Sequence, residues 1–488
     1  MPERRRRTRP SGVCLLVLAS LLAAGCLMNE GRNPPRGVLN FPVQLEAFTR
    51  EGESAPGVLY VANSNFDLLY NSATLQAYDL EVINRILDTR CTSERRELCS
   101  VIPRNSVYLS LDLGDLELIE PEEGEELLID EAFIGSYTQT MKLGPGGTRL
   151  YLTVQGVADI THADVAPDGR FDCGAGFGAG EACTDHFTTT DRERAASRDI
   201  HFSPGPMALY AGALEELGLP VGTGNYLLVT DRDESVSLFV DRLEDGARPT
   251  LTDVARGVVT GGAVTLTFEP RSKIVWAPTV SGARVARLSP AIDASTDPAL
   301  LEDARLAVHP AFSVRDLSSG ASADFRQVAF DPRPDRDEVY ILSRAPAALI
   351  IANRYGDLSS YPTPSLVAER VIDLGTGPSR LELATFEVGG EPSLFAFITS
   401  FDSRDLYVVD LDRGELLSVA AGLSGPFSFV VDTARERIYI AEYRTSVVRF
   451  VDLAPMLACL EGGATSTSEC TPELLGFLGV PNALEGLR

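Results

Sequence analysis

Three heptapeptides far apart in the chain carry the same alternation: SVSLFVD (235–241), RDLYVVD (404–410) and SVVRFVD (446–452). Apolar and polar residues trade places at each step, so one face of an extended strand meets a core. Each heptapeptide follows a more evenly apolar strand, often containing Tyr, across a short polar turn. The combined unit occurs seven times, at 59–80, 149–164, 226–243, 273–288, 338–353, 394–411 and 437–453. A further strand and turn precede several copies, as in FIGSYTQTMKLGPGGTRLYL, FRQVAFDPRPDRDEVYIL and FSFVVDTARERIYI.

The apolar strands begin near 59, 151, 226, 274, 339, 395 and 438. The later intervals approach the ~40–50 residues of one four-stranded propeller blade. The two longest intervals place insertions at about 85–132 and 163–200. Strand–turn–strand–turn–strand order, with Asp, Pro or Gly before the Tyr strand, resembles the YVTN class of bacterial β-propellers. Tyr60-Val61-Ala62-Asn63 and Tyr151-Leu152-Thr153-Val154 carry the likeness, with LGPGGTRLY before the second strand. The resemblance implies an all-β fold over residues 41–488: one propeller of seven four-stranded blades, with long inter-strand insertions and almost no helix. A pair of β-sandwiches is the competing architecture. Either FPVQLEAF (41–48) or LLGFLGV (474–480) would supply a strand to close the ring.

The first residues belong to a different layer of organisation. Arg4, Arg5, Arg6, Arg7 and Arg9 precede an apolar stretch from Val13 to Gly25. That stretch is short against ~30 Å of hydrocarbon and reads as a signal peptide over residues 1–25. LLAAGC resembles a bacterial lipobox, with Ala23, Ala24 and Gly25 at the small-residue positions and Ala23 departing from the favoured Leu. The resemblance implies cleavage before Cys26, acylation of Cys26 and loss of Cys14. The competing reading is an ordinary secretory signal with Cys26 incidental. Leu27, by the sorting rule of enteric bacteria, implies the outer membrane, on its periplasmic or surface face. Two or more acyl chains anchor a protein stably without spanning the bilayer. Residues 26–40 are rich in Gly, Pro and Asn and read as a flexible tether.

The whole chain carries 43 basic and 69 acidic residues, a net charge of −26. Loss of residues 1–25, with five arginines and one glutamate, makes that −30. Such a surface repels nucleic acid, which is excluded as a partner. Six cysteines remain beyond Cys14 and Cys26, in three close pairs: Cys91/Cys99, Cys173/Cys183 and Cys459/Cys470. An exported chain meets oxidising conditions, so three local disulfides are expected.

Nucleophile elbows, HExxH and phosphate-cradling P-loops are absent from the sequence. The single tryptophan, Trp276, excludes propeller classes that need one per blade. The run IEPEEGEELLIDEAF, with seven acids between Glu120 and Glu131, reads as a solvated insertion or edge guard. The most site-like stretch is DVAPDGRFDCGAGFGAGEACTDHF (164–187). It brings His162, His186 and His201 near Asp164, Asp168, Asp172 and Asp185 in sequence, with Asp199 beyond. Acids at every fourth residue and Gly169 would suit calcium, although EF-hand ligands alternate at every second position. His with Asp would suit zinc or copper. The plainer reading is an exposed excursion closed by Cys173–Cys183, with no cofactor.

The function expected is therefore that of a membrane-anchored binding or scaffold module of the bacterial cell envelope. Its partner would be an envelope protein, a glycan or a small ligand. The enzyme alternative, a metal- or carboxylate-dependent hydrolase of lactonase-like type, requires Asp and His side chains to converge at one mouth of the ring. A calcium-stabilised surface adhesin is a third reading.

Overall fold

A computed structural model describes residues 32–91, 96–104, 116–174, 176–178, 180–189, 205–243, 247–292, 301, 303–314, 323–355, 365–462 and 470–482. Among these residues the strands form six sheets around a common axis, a β-propeller. The first sheet runs in order through Pro42–Phe48, Val58–Asn63, Ala73–Asp79 and Leu128–Ile134. The second is built on Thr138–Leu143, Arg149–Val154 and Asp159–Val165, and the third on Pro206–Ala213, Asn225–Asp231, Val236–Asp241 and Thr250–Ala255.

Six sheets stand where seven separate blades are expected, and the difference arises at one place. The fourth sheet has eight strands because two four-stranded meanders, 267–313 and 324–373, meet along their outer strands. A single parallel pair, Ser313 opposite Ser365, joins them. The fifth sheet (378–421) is again a four-stranded meander, and the sixth begins at Pro426–Asp432.

Successive second strands each bury a large ring: Tyr60, Tyr151, Tyr226, Trp276, Tyr340, Phe395 (with Phe397) and Tyr439. These rings pack between neighbouring meanders, so both faces of the sheets are core. A buried phenol or indole needs a hydrogen-bond partner. Tyr151 Oη donates to Asp241 at 2.7 Å, Tyr340 to Asp331 at 2.9 Å, Tyr439 to Asp432 at 2.8 Å, and Trp276 Nε1 to Glu269 at 3.0 Å.

Neither terminal segment crosses over to close the ring. Pro42–Phe48 is the first strand of its own sheet, and Glu473–Leu478 is the outer antiparallel strand of the last. The seam is instead covered by the insertion after Asp79. Asp79 caps helix α1 (Leu80–Thr89) by accepting from the Glu81 and Val82 amides, both at 2.9 Å. Leu80, Ile83, Ile86 and Leu87 recur at helical spacing and are buried against Tyr439, Phe450 and Leu475 of the last sheet. Beyond α1, Cys99–Val101 pairs in parallel with Glu473–Leu478, and Glu117–Ile119 pairs with Cys99–Val101. The first meander thus donates two strands to the last sheet, which becomes six-stranded.

All three cysteine pairs are disulfides: Cys91–Cys99, Cys173–Cys183 and Cys459–Cys470. The acidic run at 120–131 is not wholly solvated. Asp130 and Glu131 are buried, because they lie in a core strand at its end. Glu131 accepts from Gln76 Nε2 at 2.6 Å and from the Gly37 amide at 3.1 Å. Asp130 accepts from the Phe171 and Gly178 amides at 3.0 and 3.1 Å. Among the described residues, no helix is long and apolar enough to cross a membrane.

Candidate functional site at the channel mouth

First strands of neighbouring meanders are adjacent around the axis, and side chains on them tie one to the next. Thr140 Oγ1 donates to the Met207 carbonyl at 2.8 Å, Thr265 to Arg326 at 2.5 Å, and Gln327 Nε2 to Leu381 at 2.6 Å. Glu382 accepts from the Val431 amide at 3.1 Å, and Lys142 Nζ donates to Glu46 at 2.5 Å. Alternation on these strands aims one set of side chains at the axis.

Arg380 and Glu382 are two apart on Pro378–Val388, so both belong to that set. A cavity of about 250 Å³ opens at the start of the inner strands, lined by Arg326, Arg344, Arg380, Ser379, Phe401 and Phe427 among others. A deeper cavity of about 100 Å³ shares Thr140, Val264 and Arg380 with it and reaches Lys142, Gln327 and Glu382. Together they form a polar channel with an arginine- and phenylalanine-lined mouth.

The three arginines differ in how their charge is met. Arg326 pairs with Asp324 at 2.6 Å, and Arg344 with Asp402 at 3.1 Å. Arg380 has no carboxylate at ion-pair distance among the described residues. Its guanidinium lies 5.8 Å from the centre of the Phe427 ring, and Nη1 donates to the Val264 carbonyl at 3.4 Å. It keeps surface toward the cavity but is wrapped closely enough that desolvation, helped by Arg326, pulls its pKa down to about 10. Desolvation also pushes Glu382 up to about 7, against the pull of Lys142. The site therefore couples a poorly compensated cation to a carboxyl that titrates near neutrality.

The 164–187 loop is arranged differently. His162 lies in Asp159–Val165 with no exposed surface, its ring 4.9 Å from that of Phe187. Asp164 receives Arg149 at 2.6 Å. Asp168 accepts from the Arg170 amide at 3.1 Å, and Asp172 from the Gly174 and Gly176 amides at 2.7 and 2.8 Å. Those carboxylates close the turns of their own loop. Asp185, exposed, lines an open cleft of about 500 Å³ with Asp159 and Arg248. Burial raises the Asp159 carboxyl to about 6. The His186 side chain, His201 and Asp199 lie outside the described residues. Among the described residues, no three His, Cys, Asp or Glu side chains gather as a metal site.

Reading the sequence for motifs did not find Arg326, Arg344, Arg380 or Glu382. The signal was the polar alternation of PSRLELATFEV, which becomes informative once that strand is known to line the axis.

No family model matches the chain, and no curated protein matches it. Solved structures resemble it at low identity. A periplasmic gluconolactonase from Pseudomonas aeruginosa is 14% identical, with a TM-score of 0.44 over 72% of this chain and 88% of that one. A putative 6-phosphogluconolactonase from Bacteroides fragilis is 13% identical, TM-score 0.44, over 77% and 82%. The β-propeller domain of Cps50 from Myceliophteria thermophila is 10% identical, TM-score 0.43, over 82% and 93%. Likeness at this level concerns the fold and nothing in the channel.

Proposed function

We propose that the protein is an exported lipoprotein of YVTN-type repeat, acylated at Cys26. Its propeller acts as a binding module that holds a small anionic ligand at the channel mouth. The outer membrane is the site of anchoring, and an envelope protein or glycan on the loop faces is its further partner. The observation that carries the ligand reading is Arg380: a desolvated guanidinium with no carboxylate at ion-pair distance among the described residues, beside an aromatic ring, in a cavity of about 250 Å³. An anion there would supply the missing charge, and Phe401 and Phe427 would cover a flat or ring-bearing body. Calorimetric titration with phenyl phosphate, benzoate and inorganic phosphate tests it. Binding of at least one, weakened ~10–100-fold by Arg380→Met, is expected from loss of a charge-assisted contact. No binding of any of the three overturns the ligand reading, and an unmodified Cys26 by mass spectrometry overturns the anchor.

One observation favours the enzyme alternative. Glu382, raised to about 7, has the pKa a general base toward a water would need. Hydrolysis of a simple δ-lactone, lost in Glu382→Gln, would support it. A rate no faster than buffer would leave the binding module alone.

A further inference from the structure

The turn after the second strand of the first meander presents Phe66, Leu68 and Leu69 to water, 54%, 55% and 58% exposed. Surface apolar residues scattered singly need no explanation, but three within four positions form a patch. This turn is also held rigid. Asn65 is buried at its base, where its amide donates to the Tyr70 carbonyl at 2.7 Å and to Ser136 Oγ at 2.9 Å. Its Oδ1 accepts from Asn40 Nδ2 at 3.1 Å and from the Tyr70 amide at 3.2 Å. Asp67 accepts from the Leu69 amide at 3.1 Å. Leu68 stands at φ 54°, left-handed backbone that disfavours a bulky side chain. The sequence therefore sustains strain and exposure together to hold leucines outward.

The patch continues along the face. Phe66 packs edge-on to Phe41, Tyr137 and Tyr443, with ring centres 6.2, 5.9 and 5.8 Å away. Beneath it, the Asn71 amide donates to the Arg32 carbonyl at 3.1 Å, so the described chain begins against this same turn. Cys26 lies six residues before Arg32. Six residues span at most ~20 Å when extended. An acyl chain on Cys26 would thus hold this turn within about that distance of the membrane, which puts a lipid surface within reach of the patch.

We infer that Phe66, Leu68 and Leu69 form a second membrane contact, inserting into the lipid interface beside the acylated N-terminus. The inference rests on the anchor reading for its geometry but can be tested apart from it. With a net charge of −30 beyond the leader, attraction to anionic headgroups cannot drive the contact. Insertion is apolar, so zwitterionic vesicles should bind at least as well as anionic ones, and added salt should not release the protein.

The test uses a chain beginning at residue 27, which keeps every described contact because the first of them is at Arg32. Flotation with phosphatidylcholine vesicles, and with vesicles containing phosphatidylglycerol, gives the partition coefficient. Leu68→Gln/Leu69→Gln should lower partition into phosphatidylcholine ~10-fold or more. Its melting temperature should not change. Val221→Gln, at a position 88% exposed on another turn, should leave partition unchanged. Absence of vesicle binding, equal binding by the leucine variant, or binding only to phosphatidylglycerol in low salt would each overturn the inference. Unmodified Cys26 in the native protein, with leucine-dependent partition intact, would overturn the anchor and leave the contact standing.

Discussion

Asn84, on the helix inserted into the first meander, donates its side-chain amide to the Tyr439 hydroxyl of the last sheet at 3.2 Å, across 355 positions of sequence. Tyr439 is itself held by Asp432, and Arg437 on the same strand reaches both Asn84 and Asp88. Arg449, one strand further, donates to the Glu97 carbonyl at 2.9 Å. The insertion that appears in sequence as an interruption is the clasp of the ring.

That clasp should be tested by a cavity at its centre. Ile86→Ala removes a fully buried side chain from α1 and should cost ~2–5 kcal/mol. Hydrogen exchange should accelerate first in Glu473–Leu478 and Cys99–Val101, ahead of the third sheet. Uniform acceleration across all sheets would show that the seam is no weaker than the rest. Cys91→Ser/Cys99→Ser should have the same regional signature, at ~2–3 kcal/mol for a short loop.

Asp231 should set a pH dependence of stability in the third meander. It is fully buried and accepts from the Ser235 and Ser237 hydroxyls at 3.3 Å, and desolvation plus Asp233 lift its pKa to about 8. A carboxyl whose folded pKa is raised binds more protons folded than unfolded. Its ionisation therefore costs stability as pH rises from the unfolded pKa, near 4, through about 8. Asp231→Asn should be close to neutral at pH ~4 and more stable than the parent by a few kcal/mol at pH ~8. Melting curves of both proteins across that range check it; parallel curves would remove Asp231 as the cause.

Anion affinity at the channel mouth should fall as pH rises through about 7, where Glu382 ionises below Arg380. Lys142 and Glu46 are the other charges facing it and form their own pair. Glu382→Gln should abolish the dependence and hold the tight, low-pH affinity at all values. Titration with benzoate, whose own charge does not change near pH 7, at several pH values checks it, and a dependence retained by the variant would remove Glu382 as the cause.

Chelation should leave the described part of the 164–187 loop intact. Asp168 and Asp172 already accept from the amides of Arg170, Gly174 and Gly176, the groups that shape its turns. Excess EDTA is expected to shift the melting temperature by less than ~1 °C, whereas loss of a specifically bound ion would remove several kcal/mol. A larger fall would restore the calcium-stabilised reading.

Much of the fold was legible along the chain because its signals are local. Alternation placed Val236–Asp241, Asp405–Asp410 and Val447–Asp452, and short intervals paired the cysteines. Helix α1 was legible as well, in Asp79 followed by Leu80, Ile83, Ile86 and Leu87. An expectation of nearly pure β structure concealed it. The eight-stranded sheet was not legible, since one outer-edge pairing at Ser313 and Ser365 has no pattern of its own.

By itself, then, the sequence determined the strands, their turns, the disulfides and the repeat, because each depends on residues a few positions apart. Only the tertiary structure decided which strand of each meander faces the axis. That choice makes Arg380 and Glu382 a candidate site and leaves Asp168 and Asp172 as turn caps. It buries Asp130 and Glu131 within a run whose composition reads as solvated. Alternation tells which side chains share a face but not what the face meets. The answer comes from packing between segments far apart in the chain, and burial there desolvates the Arg380 charge.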